Sequence, residues 1–181
     1  KMGGTITFES EKEKGTTFVI KIPFKIDQDA DRREEQETIS EKSIKDLKIL
    51  LVEDNELNME IAEFLLEDEG AVLTKAWNGQ EAVDIFKNSP DGTFDVILMD
   101  IMMPVMDGLT ATRTIRGLMR EEAERIPIIA MTANAFSEDI RHSLTAGMNA
   151  HISKPVDMML LEKTIRSIKS GGGSETQADK E

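Results

Sequence analysis

The sequence feature that most restricts the fold is an apolar run that ends abruptly in an acid. Residues 94–108 read FDVILMDIMMPVMDG, in which Val96–Met99 precede Asp100 and a loop containing Pro104 follows. An unbroken row of Val, Ile, Leu and Met is typical of a strand buried on both faces, as in a parallel sheet. Open α/β sheets bind their ligands at the carboxyl ends of such strands, which makes Asp100 a candidate functional residue. Taken alone, Asp100 is equally compatible with a simple cap of the following loop.

Composition excludes several classes of protein. The 181 residues carry a formal net charge of −13 and no basic cluster, which is unfavourable for direct contact with nucleic-acid phosphates. The chain has no cysteine, so disulfides and zinc–thiolate sites are excluded. No apolar stretch reaches the length of a membrane span, and we expect that this fragment is not inserted in a membrane.

After Leu47, strand-like and helix-like segments alternate five times. Apolar residues recur at helical spacing in the helix-like segments. In the first of these segments they are Leu57, Ile61, Phe64 and Leu65. The predicted strands are Lys48–Val52, Ala71–Ala76, Phe94–Met99, Pro127–Met131 and Ala150–Ser153. This alternation predicts an α/β fold, a doubly wound five-stranded parallel sheet with helices on both faces.

Four of the predicted strands lead directly into charged or hydroxyl side chains. These are Glu53 and Asp54, Asp100, Thr132 and Lys154. At one edge of a parallel sheet the three carboxylates repel one another, by roughly 4 kcal/mol per pair at about 4 Å and an effective dielectric near 20. Oxygen ligands suit Mg²⁺, and an ammonium and a hydroxyl beside a carboxylate suit phosphoryl transfer to that carboxylate. The alternative is a salt-bridged cluster with a purely structural role.

Residues 47–169 resemble the receiver domain of two-component signalling. The motifs that carry the resemblance are LLVEDN at 50–55, MDIMMPVMDG at 99–108, MTAN at 131–134 and SKP at 153–155. The resemblance implies a flavodoxin-like sheet in the strand order 2-1-3-4-5. It also implies that Mg²⁺ is the cofactor and that one aspartate accepts a phosphoryl group.

The resemblance assigns a role to each residue of the site. It implies that Asp100 is the phospho-acceptor and that Glu53, Asp54, Asp100 and the main-chain carbonyl of Met102 hold Mg²⁺. Lys154 would pair with the phosphoryl group, and the Thr132 hydroxyl would move to bond it. The peptide bond between Lys154 and Pro155 is a candidate for the cis form.

One position departs from the family pattern. Receivers usually place Tyr or Phe three residues before the lysine, as a ring that turns inward when the threonine moves, and this chain has His151. Histidine fills a similar space but titrates near neutral pH. We therefore predict a weaker or pH-sensitive switch at Thr132 and His151, against the alternative that His151 is exposed and has no role.

The N-terminal stretches MGGTITFES at 2–10 and GTTFVIKIPF at 15–24 predict a hairpin. They resemble the closing strands of a histidine-kinase ATP-binding domain. The domains expected are an incomplete ATP-binding domain at 1–25, an acidic linker at 26–46, the receiver at 47–169 and a flexible tail at 170–181. The parent protein would be a hybrid sensor histidine kinase, anchored in the membrane with this part in the cytoplasm. The incomplete kinase core leaves the enzymatic activity of the fragment open, and we expect no ATP binding.

The expected function is that of a phosphorelay receiver. The expected partners are the phosphorylatable dimerisation domain of the same parent and a separate histidine-phosphotransfer protein. Two alternatives stay open. A Mg²⁺-dependent aspartyl-phosphate hydrolase usually has a second acid two residues after the nucleophile, where this chain has Met102. A receiver-like binding module would never take phosphate, although the acids, the threonine and the lysine are all present.

Overall fold

The structure is a computed structural model that describes residues 3–11, 14–23, 44–133 and 137–169. The chain divides into two compact units, residues 1–41 and 42–181. The predicted tail and most of the predicted linker lie outside the described residues. Residues 44–46, at the end of that linker, form a turn, and Ile44 is fully buried in the core of the second unit.

The N-terminal unit contains the predicted hairpin. Strands β1 (Thr5–Glu11) and β2 (Gly15–Lys21) pair antiparallel, which confirms the prediction. Ile6 lies opposite Ile20 and Phe8 opposite Phe18, with the two phenyl rings 5.9 Å apart. All four of these apolar side chains are exposed. Because residues two apart on a strand share a face, the hairpin has one exposed apolar face.

The second unit is built on a five-stranded parallel sheet. Its strands are β3 (Lys48–Val52), β4 (Val72–Ala76), β5 (Val96–Asp100), β6 (Ile128–Thr132) and β7 (Ala150–Ser153). They lie in the order β4-β3-β5-β6-β7, which confirms the predicted 2-1-3-4-5 arrangement. All five residues of β5 and of β6 are buried, as expected for central strands covered on both faces.

The helices are α1 (Glu56–Asp68), α2 (Gly79–Asn88), α3 (Gly108–Arg116), α4 (Glu121–Arg125), α5 (Ser137–Ala146) and α6 (Met158–Lys169). The short helix α4 is an addition to the predicted pattern. Arg120, just before α4, donates a 2.6 Å hydrogen bond to the carbonyl of Phe86 and pairs with Glu122. Its guanidinium also lies 4.8 Å from the centre of the Phe86 ring. Contacts of this kind hold the segment before β6 against α2. The hydrophobic periodicity of the sequence does not predict them.

Side chains that alternate along the central strands divide the core into two layers. Leu50, Val52, Ile97 and Met99 pack with α2 and α3, through residues such as Phe86 and Ile115. Ile49, Leu51, Val96 and Leu98 pack with α1 and α6, through residues such as Met59, Leu66, Leu161 and Ile165. The sheet is therefore covered on both faces, and polar groups reach its surface at the strand ends.

The first helix buries a different stripe from the one that the predicted spacing singled out. Met59, Ala62 and Leu66 are buried against the sheet, and Leu57, Ile61 and Phe64 are exposed. Both sets have helical spacing, so periodicity could not choose between them. Packing against the sheet decides between them, since Met59, Ala62 and Leu66 belong to the same core cluster as Ile49 and Leu51. The helix itself begins after Asn55, the N-cap, whose side chain accepts a hydrogen bond from the Asn58 amide.

Gly108 allows helix α3 to begin directly against the end of β5. A Cβ atom at this position would lie 2.1 Å from the carbonyl oxygen of Asp100 and 2.9 Å from Cγ of Met99. We predict that Gly108→Ala lowers the free energy of unfolding by roughly 2 to 3 kcal/mol, because the backbone must shift. Urea denaturation followed by Trp77 fluorescence measures it.

The matched control is Gly117→Ala. The nearest atom to its new Cβ would be the carbonyl oxygen of Arg113 at 3.3 Å, and the φ angle of Gly117 is −81°. This change should alter stability by less than about 1 kcal/mol. Equal losses at the two glycines would show that the contact with Asp100 is unimportant.

Candidate functional site

Three acids meet at the carboxyl edge of the sheet. Glu53 and Asp54 follow β3, and Asp100 ends the neighbouring strand β5, where Val52 pairs with Met99. One carboxylate oxygen from each of the three lies within 4.8 Å of the others. Glu53 is 2% exposed and Asp100 6%, whereas Asp54 is exposed to solvent. The structure thus brings these three acids into one cluster.

Lys154 lies against two of these acids. Its Nζ atom is 2.5 Å from Oε2 of Glu53 and 2.8 Å from Oδ2 of Asp100. The backbone N–H of Lys154 donates to the carbonyl of Thr132, and the peptide bond to Pro155 is cis, as the resemblance implied. One ammonium thus pairs with two of three clustered carboxylates, so the cluster retains negative charge and favours further positive charge.

The electrostatics of Asp100 follow from this arrangement. Burial raises the pKa of Asp100, the hydrogen bond and charge of Lys154 lower it, and the nearby charge of Glu53 raises it again. The net direction is upward. The second carboxylate oxygen of Asp100, Oδ1, accepts a 3.2 Å hydrogen bond from the Met102 amide. A raised carboxyl pKa means that the ionised acid destabilises the fold, so stability falls as the pH rises through that pKa.

Thr132 and His151 lie on the neighbouring strands. Thr132 is the last residue of β6, is buried, and pairs in register with Ser153. His151 lies on β7 opposite Ala130 and is half-buried, and burial lowers the pKa of its imidazole below 6.5. The remaining residue of the MTAN motif, Asn134, lies outside the described residues.

The loop from Asp100 to α3 is held by local hydrogen bonds. Asp107 caps α3 by accepting from the Thr110 amide at 2.7 Å, and this bond lowers the pKa of Asp107. The Met106 amide donates to the carbonyl of Pro104, and Val105 between them has a φ of +68°. A β-branched residue in the left-handed region is unusual and indicates a tightly constrained turn.

Sequence reasoning missed Asn58. Its Nδ2 atom donates a 3.1 Å hydrogen bond to Oε1 of Glu53, which also accepts a long 3.4 Å contact from the Asn55 amide. Asn58 and Glu53 both line a cavity of about 300 Å³. The available signal was an amide in the first turn of a helix that begins directly after two acids.

The fold and this cluster define a receiver domain. The family model described as the response regulator receiver domain matches residues 49–166, about two thirds of the chain, and the chain belongs to this family. The aerobic respiration control sensor protein ArcB of Escherichia coli K12 is 36% identical over 168 residues, which cover 91% of this chain and 20% of that protein.

Two solved structures extend the comparison. The receiver domain of a sensor histidine kinase from Pseudomonas aeruginosa, with a magnesium ion coordinated in its active-site cleft, is 40% identical. The match has a TM-score of 0.61 and covers 68% of this chain and 98% of that one. The receiver domain of a Saccharomyces cerevisiae response regulator, in complex with its histidine phosphotransfer protein, is 30% identical with a TM-score of 0.60. That match covers 72% of this chain and 94% of that one.

The chain spans a fifth or less of the length of the curated histidine kinases that it matches. Within the described ranges, no helix combines the length and the apolar character that crossing a membrane requires.

The position of Lys154 between two buried acids generates a stability prediction. We predict that Lys154→Met lowers the free energy of unfolding at pH 7 by roughly 2 to 4 kcal/mol, because it leaves buried carboxylates without their counter-ion. Loss of the ammonium also raises the pKa of Asp100 further, so the cost should be smaller at pH 5 than at pH 7, because protonation of Asp100 removes part of the uncompensated charge. Urea denaturation at both pH values measures this.

Lys75→Met is the matched control, since Lys75 Nζ lies 2.6 Å from Oε1 of Glu63 in an ion pair that is far more exposed. It should cost less than about 1 kcal/mol. A Lys154 effect no larger than this, or one that does not vary with pH, would contradict the electrostatic explanation.

Proposed function

We propose that Asp100 of this receiver domain accepts a phosphoryl group from a phosphohistidine, with Mg²⁺ as cofactor. The observation that carries the proposal is the Lys154 ammonium between Asp100 and Glu53, within a cluster of three carboxylates. A carboxylate nucleophile beside a fixed positive charge is the arrangement that phosphoryl transfer to an acid needs.

The residues present fit Mg²⁺. Glu53, Asp54 and Asp100 each offer one carboxylate oxygen, and these oxygens lie within 4.8 Å of one another. The single ammonium of Lys154 does not neutralise the three negative charges. We infer that these three acids and the main-chain carbonyl of Met102 hold the ion. When bound, Mg²⁺ would neutralise the charge of the incoming phosphoryl group.

The transfer is a substitution at phosphorus. An oxygen of ionised Asp100 forms the new O–P bond while the N–P bond to the donor imidazole breaks, and the imidazole leaves with the bonding electron pair. Lys154 then pairs with the phosphoryl oxygens, and the Thr132 hydroxyl donates a hydrogen bond to one of them. The new charge at the sheet edge shifts the face that includes β7 and α6, which changes partner binding.

We infer that the donor or acceptor is a histidine-phosphotransfer domain, either in the parent kinase or in a separate protein. The yeast relative in complex with such a protein supports this. Leu57, Met102 and Val105, in segments that follow the adjacent strands β3 and β5, are 63%, 83% and 84% exposed. Exposed apolar side chains of this size in the segments that follow the two acid-bearing strands suit contact with a helical partner.

The wider architecture is also a proposal. We infer that residues 1–25 are the closing strands of a histidine-kinase ATP-binding domain, followed by a linker at 26–46, the receiver at 47–169 and a tail at 170–181. The exposed apolar face of the hairpin and the 91% coverage in the match with ArcB support a hybrid kinase as parent. The receiver would then act in the cytoplasm, beside a membrane-anchored sensor.

Met102, in the place of a second acid, disfavours the hydrolase alternative.

Intact-mass measurement after incubation with acetyl phosphate and Mg²⁺ tests the proposal. We predict a mass increase of one phosphoryl group, its loss in Asp100→Asn, and a strongly slowed reaction in Asp54→Asn. Asp95→Asn is the control, because Asp95 accepts from the Lys48 amide at the opposite end of the same strands. It should be phosphorylated like the parent. Phosphorylation of Asp100→Asn, or none in the parent even with a competent phosphohistidine donor, would overturn the proposal.

His151 generates a prediction about pH. Burial lowers the pKa of His151, so the folded protein resists protonation of this imidazole more than the unfolded chain does. The neutral imidazole therefore contributes stability at pH 8, and this contribution is lost as the pH falls below 6.5. We predict that the free energy of unfolding of the parent falls relative to that of His151→Tyr between pH 8 and pH 6, and that the NMR shifts caused by phosphorylation change with pH in the parent and not in the variant. The exposed His142, changed to Gln, is the control. Identical behaviour of His151→Tyr and the parent at both pH values would assign His151 no role in the switch.

A further inference from the structure

We propose that Asn58 is a positioning residue whose side-chain amide holds the Glu53 carboxylate in place for the divalent cation. The inference rests on the proposed function, because it concerns the metal site of the same cluster. Asn58 touches Glu53, which lies between it and the reacting groups.

Both oxygens of Glu53 are engaged. Oε2 lies 2.5 Å from Nζ of Lys154, and Oε1 accepts from Nδ2 of Asn58 at 3.1 Å. The backbone amide of Asn55 adds a longer contact of 3.4 Å to the same Oε1. Because Glu53 is 2% exposed, solvent contributes little to its orientation, and these donors set the direction of the carboxylate.

The two side-chain donors differ in what happens to them during the proposed reaction. Lys154 is shared with Asp100, at 2.8 Å, so a phosphoryl group on Asp100 draws the ammonium away from Glu53. Asn58 contacts Glu53 without touching the other two acids in any described hydrogen bond. The amide therefore keeps Glu53 oriented when the lysine turns to the phosphoryl group.

An amide suits this task because it donates a hydrogen bond without adding charge. A cationic side chain at position 58 would compete with the metal for Glu53, and an acid would add to the repulsion in the cluster. Partners of this kind behind a metal ligand typically contribute 10- to 100-fold to metal affinity.

The side chain of Asn58 can be changed without removing the helix cap. The cap bond runs from the backbone amide of Asn58 to Oδ1 of Asn55, and the Asn58 side chain is exposed. Ile61, Ala62 and Val156 line the same cavity, so a leucine at position 58 would also find apolar neighbours. Since leucine has the higher helix propensity and gains these apolar contacts, Asn58→Leu should offset the stability lost with the hydrogen bond while it removes the donor.

The experiment is titration of the whole chain with MgCl₂, by isothermal calorimetry and by the fluorescence of Trp77, the single tryptophan. We expect Asn58→Ala and Asn58→Leu each to raise the Kd for Mg²⁺ about tenfold. Gln80→Ala is the matched control, because it removes another 3.1 Å amide-to-carboxylate hydrogen bond, to Asp84 on α2. Its Kd should equal that of the parent within error.

The outcomes separate this inference from the proposed function. If the parent binds Mg²⁺ and both Asn58 variants bind it equally well, the positioning role is overturned and the proposed function stands. If the parent binds no Mg²⁺, both are overturned. A weaker affinity in Asn58→Leu at undiminished thermal stability supports the positioning role, because a merely structural residue would not move that affinity. The same loss in Gln80→Ala would overturn it.

Discussion

The site depends on one ammonium group held among buried carboxylates. Desolvation penalises the charged form of an acid, and burial accordingly raises the pKa of Asp100. Lys154, within 2.8 Å of Asp100 and 2.5 Å of Glu53, opposes that effect and keeps ionised carboxylates tolerable inside the fold. Because one ammonium faces three clustered acids, the site retains excess negative charge, which is the condition for binding a divalent cation.

Parallel strand pairing is what assembles this cluster. Glu53, Asp100 and Lys154 are far apart in the sequence, but each follows or ends a strand that runs in the same direction within one sheet. The tight start of α3 at Gly108, against the backbone of Asp100, keeps the following loop close to the strand end. Backbone geometry therefore supplies the site, and a few side-chain hydrogen bonds orient it.

Much of the fold was predictable because strong local signals agreed with it. The buried strand before Asp100, the alternation of strands and helices, and the four motifs all indicated the same sheet, and its strand order is confirmed. Local sequence signals gave no information where contacts between distant residues determine the structure. Arg120 fixes the segment around α4 by contacts with Phe86, which lies far away in sequence. Asn58 has an ordinary helical position, and its link to Glu53 is visible only in three dimensions.

The sequence by itself determined the fold class, the residue types of the site and their order along the chain, because hydrophobic periodicity and motif spacing are local properties. The tertiary structure alone decided how the charges are shared: which acids Lys154 pairs with, that Glu53 and Asp100 are buried while Asp54 is exposed, and that His151 is half-buried. It also decided which stripe of α1 faces the core. Desolvation and Coulomb energies depend on distances across the fold, and spacing along a chain does not contain those distances.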